Sequence, residues 1–196
     1  MNLIVHIPGL HKKRPLTPLP AGSAPGTLAV DPEAHKPEIR VMAYGMDELI
    51  EAELGDVTEV GNFLEKYPVT WVNVDGLGDA TVLQSLGEMF GLHALALEDV
   101  LNVRHRPKLE EYDDHIFVMM RMALLAEGFQ HEQVSLFLGS NFVLTFQERP
   151  GDCLTPVRER LCQRPHPGCR RRMVGSLARR ASNSHIERIK RNKYDY

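Results

Sequence analysis

The stretch from Pro68 to Gly91 restricts the fold more than any other part of the chain. Val69-Thr70-Trp71-Val72-Asn73-Val74-Asp75 is a β-branched run bounded by Pro68 and Gly76, which is the pattern of a strand. Asp79 follows as an N-cap, with Val82, Leu83, Leu86, Met89 and Phe90 at helical spacing and Gly91 as the stop. Strand, turn and helix are then joined by a second short helix predicted over Leu95 to Leu101. Three consecutive strands are predicted at His115 to Leu125, Gln133 to Leu138 and Asn141 to Gln147, with Gly139-Ser140-Asn141 as a tight hairpin link.

Upstream, Ile39, Val41 and Ala43 alternate toward one face and predict a strand that ends at Tyr44-Gly45. From Met46 to Tyr67 the spacing of Leu49, Ile50, Leu54, Val57, Val60, Phe63 and Leu64 predicts two short amphipathic helices, broken near Gly55, the second capped by Asp56. Pro156 suits the first turn of a helix starting at Thr155 and running to Leu161. Residues 1–37 hold seven prolines and a Lys12-Lys13-Arg14 run without periodicity, and are expected to be a flexible lead-in.

The 196 residues are 43% hydrophobic and 25% charged, which excludes a collagen, a coiled coil and global disorder. The apolar run Ile116-Phe117-Val118-Met119-Met120 is broken by Arg121, far short of the roughly 20 residues that cross a bilayer. With no basic, apolar leader at Met1, the chain is expected to be cytoplasmic. Its three cysteines, Cys153, Cys162 and Cys169, form no CxxC pair. Cys162, His166 and Cys169 lack a regularly spaced fourth zinc ligand. Residues 1–160 carry 13 Lys and Arg against 24 Asp and Glu, a balance of −11, whereas residues 161–196 carry 10 against 2, a balance of +8.

Several segments together resemble the CorA family of magnesium transport proteins, in the cytosolic domain that precedes the membrane helices. They are Ala24-Pro25-Gly26-Thr27-Leu28, Val69 to Leu77, Phe90 to Asn102 with its Leu97-Glu98-Asp99 motif, Arg106-Pro107-Lys108-Leu109-Glu110, Glu132 to Leu138, Val143 to Glu148 and Pro156 to Leu161. The resemblance implies an α+β fold of αβα type, a mixed sheet between helical layers, spanning residues 38–161. It implies a homo-oligomer, a pentamer in full-length relatives, held on the cytoplasmic side of the inner membrane and concerned with Mg²⁺, with Co²⁺ as an alternative cargo. In the family, an acid at the position of Asp99 meets an acid on the neighbouring protomer's long helix through a hydrated divalent ion. Glu98 then belongs to an adjoining ion site.

Carboxylate oxygens are suitable hard ligands for Mg²⁺. Adjacent helical residues point about 100° apart, so Glu98 and Asp99 cannot close on one ion from a single helix face. A site here needs a second segment or chain, and it is expected to be weak and regulatory. Uncompensated carboxylates across a protomer boundary repel when the ion is scarce and are clamped when it is plentiful. Glu110, Glu111, Asp113 and Asp114 read as a solvated loop before a strand, with Arg104, Arg106 and Lys108 as local neutralisers. His93, His105, His115 and His131 show no ligand spacing, Trp71 reads as core packing, and no nucleophile, base and orienter arrangement points to an enzyme.

The resemblance stops near Leu161, and residues 162–196 are expected to be a basic, disordered or out-of-frame tail. A one-base shift of permissible codons for His166 to Ser176 gives a segment resembling the family's continuation, so the chain reads as truncated or frameshifted and without the pore. The rival class is a soluble binding module whose basic tail contacts nucleic acid or an acidic membrane surface. A third reading is a modulator that co-assembles with full-length CorA subunits.

Overall fold

Strand β3 (Val69–Asp75) forms where its β-branched run predicts and joins two groups of strands in one mixed sheet. The computed structural model describes residues 24–45, 48–103, 105–124, 130–151 and 154–162. Among them lie β1 (Glu38–Tyr44), β2 (Leu49–Leu54), β4 (Lys108–Glu111), β5 (His115–Leu124), β6 (Gln130–Gly139) and β7 (Phe142–Gln147). The order is β2-β1-β3-β7-β6-β5-β4. Every neighbouring pair is antiparallel except β3 with β7, which is parallel and in register from Thr70 opposite Phe142 to Asp75 opposite Gln147. Parallel neighbours need a long crossover, and this one carries helices α2 (Ala80–Phe90) and α3 (Ala94–Leu101).

Alternation along the strands sorts side chains to two faces. Val41, Val72, Val74, Phe117, Phe137 and Leu144 point into the main core, where they meet α1 (Val60–Lys66), α2 and α3 through Val60, Leu83, Leu86, Leu97 and Val100. The opposite face holds a smaller cluster of Met42, Tyr44 and Trp71 under Leu161 of α4 (Thr155–Cys162). The fold is therefore α+β, with helices on both faces of a mixed sheet. Phe137 ties the main core together, stacked on Phe117 at 4.5 Å and edge-on to Phe146 at 6.1 Å.

Beside the smaller cluster lies a chain of buried polar groups that must find partners within the protein. Trp71 Nε1–H donates to Thr145 Oγ1 at 3.1 Å. The Oδ1 of Asn73 accepts from Thr145 Oγ1 at 2.7 Å, from Gln147 Nε2 at 3.0 Å and from Arg158 Nη2 at 2.9 Å. Gln147 Nε2 also reaches Asp75 Oδ1 at 3.0 Å, and Asp75 pairs with Arg40. The Arg158 guanidinium lies 5.0 Å from the Trp71 ring, within cation–π range. These bonds fasten β3 to β7 and seat α4 on the sheet.

Three sequence expectations change. The first of the two helices expected between Met46 and Tyr67 is strand β2: Ile50, Ala52 and Leu54 alternate with the exposed Glu51 and Glu53, a period of two, and pair with β1 from Ala43 opposite Ile50 to Ile39 opposite Leu54. Charges on its outer positions suit a sheet edge. The second helix is present, preceded by a 3-10 turn (Val57–Glu59) in which Asp56 and Glu59 form a capping box. Glu110 and Glu111 are not loop but lie in β4, paired with Phe117 and Ile116 of β5. Residues 24–37 contain no helix or strand up to Pro37, yet Leu28 and Val30 pack against the main core, so this part of the lead-in belongs with the folded unit. Residues 1–23 and 163–196, including the proposed tail, lie outside the described residues.

The turn after β3 tolerates no side chain at Gly76. Its φ is +106°, and a Cβ there would sit 2.5 Å from the Lys36 carbonyl oxygen and 2.6 Å from that of His35. Gly76→Ala should cost about 2–3 kcal/mol of stability through strain and backbone displacement. Asp79→Ala should cost only about 1 kcal/mol, the loss of the cap that Asp79 gives to the Thr81 and Val82 amides. Urea unfolding of the two variants checks both the size and the order.

Candidate functional site

Asp99 occupies the last turn of α3, where the helix presents its carbonyls and the negative end of its dipole. A carboxylate there needs a cation. Lys108, on β4, supplies it: its Nζ donates to Asp99 Oδ2 at 2.5 Å, while His105 Nε2 lies 3.2 Å from Asp99 Oδ1. Both oxygens of Asp99 are thus engaged within one chain, and its side chain is 16% exposed. Gln133 of β6 fixes the helix end from below by donating its Nε2 hydrogens to the Asp99 and Val100 carbonyls at 3.1 and 3.2 Å.

Lys108 is shared. Its Nζ also donates to Glu110 Oε1 at 2.8 Å and lies 5.4 Å from the Phe117 ring. Alternation in β4 explains this, since Lys108 and Glu110 stand two residues apart on one face of the strand. Partial burial opposes charge on Lys108, but the hydrogen bonds of Asp99 and Glu110 outweigh it and hold the ammonium above its ordinary range. Burial likewise opposes ionisation of Glu110, yet Lys108 and the Tyr112 hydroxyl, which donates to Glu110 Oε2 at 3.1 Å, draw its carboxyl below the usual value. Tyr112 stacks at 4.8 Å on His115, itself buried and paired with Asp114.

Glu98 turns elsewhere, as adjacent helical residues must. Its Oε2 accepts the Gly26 amide at 2.8 Å and so pins residues 24–28 to α3. His93 caps α3 by accepting the Leu95 amide at 3.2 Å. Among the described residues no three His, Cys, Asp or Glu side chains gather as a metal site. The donor chemistry of Asp99 fits Mg²⁺; its surroundings in one chain do not complete a site. His166 and Cys169, weighed with Cys162 for zinc, lie outside the described residues. A cavity of about 280 Å³ between the β2 edge and α4 is lined by Arg40, Arg158, Glu51 and Glu159 with Thr155 and Cys162.

By fold and site alone, this is an α+β domain with a carboxylate held at a helix end by two basic side chains. Comparison with known proteins goes further. The model of the CorA-like Mg²⁺ transporter protein family matches residues 68–191, and the chain belongs to that family. The matched span runs past Leu161, so the expectation that the family likeness stops there does not hold. The cobalt/magnesium transport protein CorA of Thermotoga maritima is 41% identical over 144 residues, 71% of this chain and 41% of that protein. The chain therefore spans well under half the length of this relative. The soluble domain of CorA from Methanocaldococcus jannaschii matches with 17% identity and a TM-score of 0.48 over 65% of this chain and 48% of that one. The complete CorA magnesium transporter of the same organism matches with 17% identity and a TM-score of 0.46 over 63% of this chain and 36% of that one. The family assignment rests on the sequence matches.

Lys108, expected to neutralise the acidic run, does bind Glu110, but its shorter bond to Asp99 and the approach of His105 are not apparent from the sequence. The strand that carries Lys108 does leave a signal in Lys108-Leu109-Glu110, which alternates after Pro107. Glu132 is likewise not apparent. It is 1% exposed, and its Oε1 accepts the Arg149 amide at 2.9 Å while Glu148 Oε1 accepts the Gln133 amide at 2.8 Å. Two side chains thus continue the β6–β7 pairing beyond Val134 and Gln147. Burial raises the Glu132 carboxyl from 4.5 to about 7, helped by the Glu148 charge and opposed by the Arg149 amide.

A carboxyl raised in the folded state binds more protons there than in the unfolded chain between these two values, so its contribution to stability falls as pH rises through that window. Glu132 should therefore cost about 2–3 kcal/mol at pH 8 relative to pH 4.5. Glu132→Gln keeps an acceptor for the Arg149 amide without the charge. Unfolding curves at pH 5, 6.5 and 8 should show the variant gaining on the wild type as pH rises.

Proposed function

We propose that this chain is the divalent-cation-sensing cytosolic domain of a CorA-type Mg²⁺ and Co²⁺ transport protein, not an enzyme. The 41% identity to a cobalt/magnesium transport protein carries the reading. The placement of Asp99 at the rim of the domain, on a helix end that favours cations, supports it. The domain works as part of a homo-oligomer, on the cytoplasmic face of the inner membrane. The missing ligands for Asp99 come from the neighbouring protomer, and Glu98 adjoins that boundary. A divalent ion supplies hard positive charge between carboxylates of two chains. Asp99 presents its carboxylate, Gln133 holds the helix end that carries it, and Glu98 keeps residues 24–28 against α3. Without the ion, Asp99 stays with Lys108 and His105 of its own chain and no longer links the protomers. No helix among the described residues is long and apolar enough to cross a membrane, and a transport pore is supplied by other parts of a complete family member.

Residues 24–161 joined to the remainder of the Thermotoga protein test this reading. Mg²⁺ should protect the hybrid from protease, and Asp99→Ala should raise the Mg²⁺ needed for half-protection at least about threefold, the scale of one lost charge contact. Equal protection of both hybrids contradicts the assignment of Asp99. The 196-residue chain alone, reconstituted in liposomes, should pass no more Mg²⁺ than empty vesicles.

A further inference from the structure

We infer that Lys108 is a built-in competitor for the divalent ion at Asp99, a tethered ammonium that occupies the carboxylate until an ion displaces it and so sets the concentration at which the domain responds. The inference rests on the proposed role of Asp99 and adds a regulatory residue to it. Lys108 is placed to compete and not merely to decorate a surface. Its Nζ is 2.5 Å from Asp99 Oδ2, its side chain is 26% exposed, and Phe117 lies beneath it. A second carboxylate, Glu110, at 2.8 Å, gives the ammonium somewhere to remain when Asp99 is taken. The exchange needs no unfolding: Lys108 lets go of one carboxylate and keeps the other. An ion reaching Asp99 replaces one positive charge at the negative end of α3 with two, so the helix end that attracts Lys108 attracts the ion more strongly.

A protein that held Asp99 bare would bind divalent ions at lower concentrations, because nothing would have to leave. Lys108→Met keeps the aliphatic stem over Phe117 and deletes the charge. Lys108→Gln keeps a donor and is the second choice if Met disturbs folding. Lys66→Met removes one positive charge from the exposed end of α1, where its partners are Tyr67 and Glu48 and not Asp99, and controls for net charge.

The test is Mg²⁺ protection from protease, at constant ionic strength, of the hybrid that joins residues 24–161 to the remainder of the Thermotoga protein, which supplies the neighbouring protomer's ligands. Either Lys108 variant should lower the Mg²⁺ concentration at half-protection about three- to fivefold, the range of a partly exposed ion pair. Lys66→Met should leave it unchanged, and Asp99→Asn should raise it. Unchanged half-protection in both Lys108 variants, or the same gain in Lys66→Met, overturns the competitor role while leaving Asp99 as the ligand. Half-protection that does not move in Asp99→Asn overturns the role of Asp99 itself.

Discussion

The parallel contact between β3 and β7 is the join on which the rest of the structure depends. It unites the antiparallel group β2-β1-β3 with the antiparallel group β7-β6-β5-β4. Because parallel strands cannot be linked by a hairpin, everything from Gly76 to Asn141 is crossover, and α2, α3 and the Asp99 region exist within it. On the core side the join is covered by Val72, Val74, Leu144 and Phe146. On the other side it is laced by Asn73, Asp75, Thr145 and Gln147, with Trp71 and Arg158 above. An apolar second face would bury as much area, but it would not select one register. Side-chain bonds that cross from β3 to β7 do, since a one-residue slip would turn them all to the core.

That geometry accounts for where Asp99 and its partners sit. The crossover brings the carbonyl end of α3 over the β5 and β6 region, where Gln133 reaches up to it and Lys108 reaches across from the edge strand β4. Asp99 is consequently held, partly exposed, by elements anchored in the core. Glu98 serves the opposite direction and ties residues 24–28 to the same helix. A single dipeptide thus connects the start of the described chain, the helix and the edge of the sheet.

Much of this was legible in the sequence because the signals were local. The Val69 to Asp75 run, the Asp79 cap, the Gly91 stop at a φ of +64° and the Ser140-Asn141 hairpin each depend on a few neighbouring residues. What was not legible depends on partners far along the chain. Leu49 to Leu54 fits either period over so short a span, and only pairing with β1 makes it a strand. Lys108 and Glu110 look like part of a charge run until β4 aligns with β5 and turns them to the α3 side. Trp71 was expected to pack in the core and is buried, but its hydrogen bond to Thr145, 74 positions away, has no sequence signature. The candidacy of Asp99 comes from the family motif, whereas Lys108 and His105 beside it are visible only in the folded chain.

If a divalent ion takes the place of Lys108 at Asp99, crystals of the hybrid with the Thermotoga remainder, grown with and without millimolar Co²⁺ and measured at the cobalt absorption edge, should show an anomalous peak beside the Asp99 carboxylate and, in the cobalt crystal alone, Lys108 Nζ withdrawn from Asp99 and retained by Glu110. Cobalt bound elsewhere, with the contact between Lys108 and Asp99 intact in both crystals, rules that exchange out.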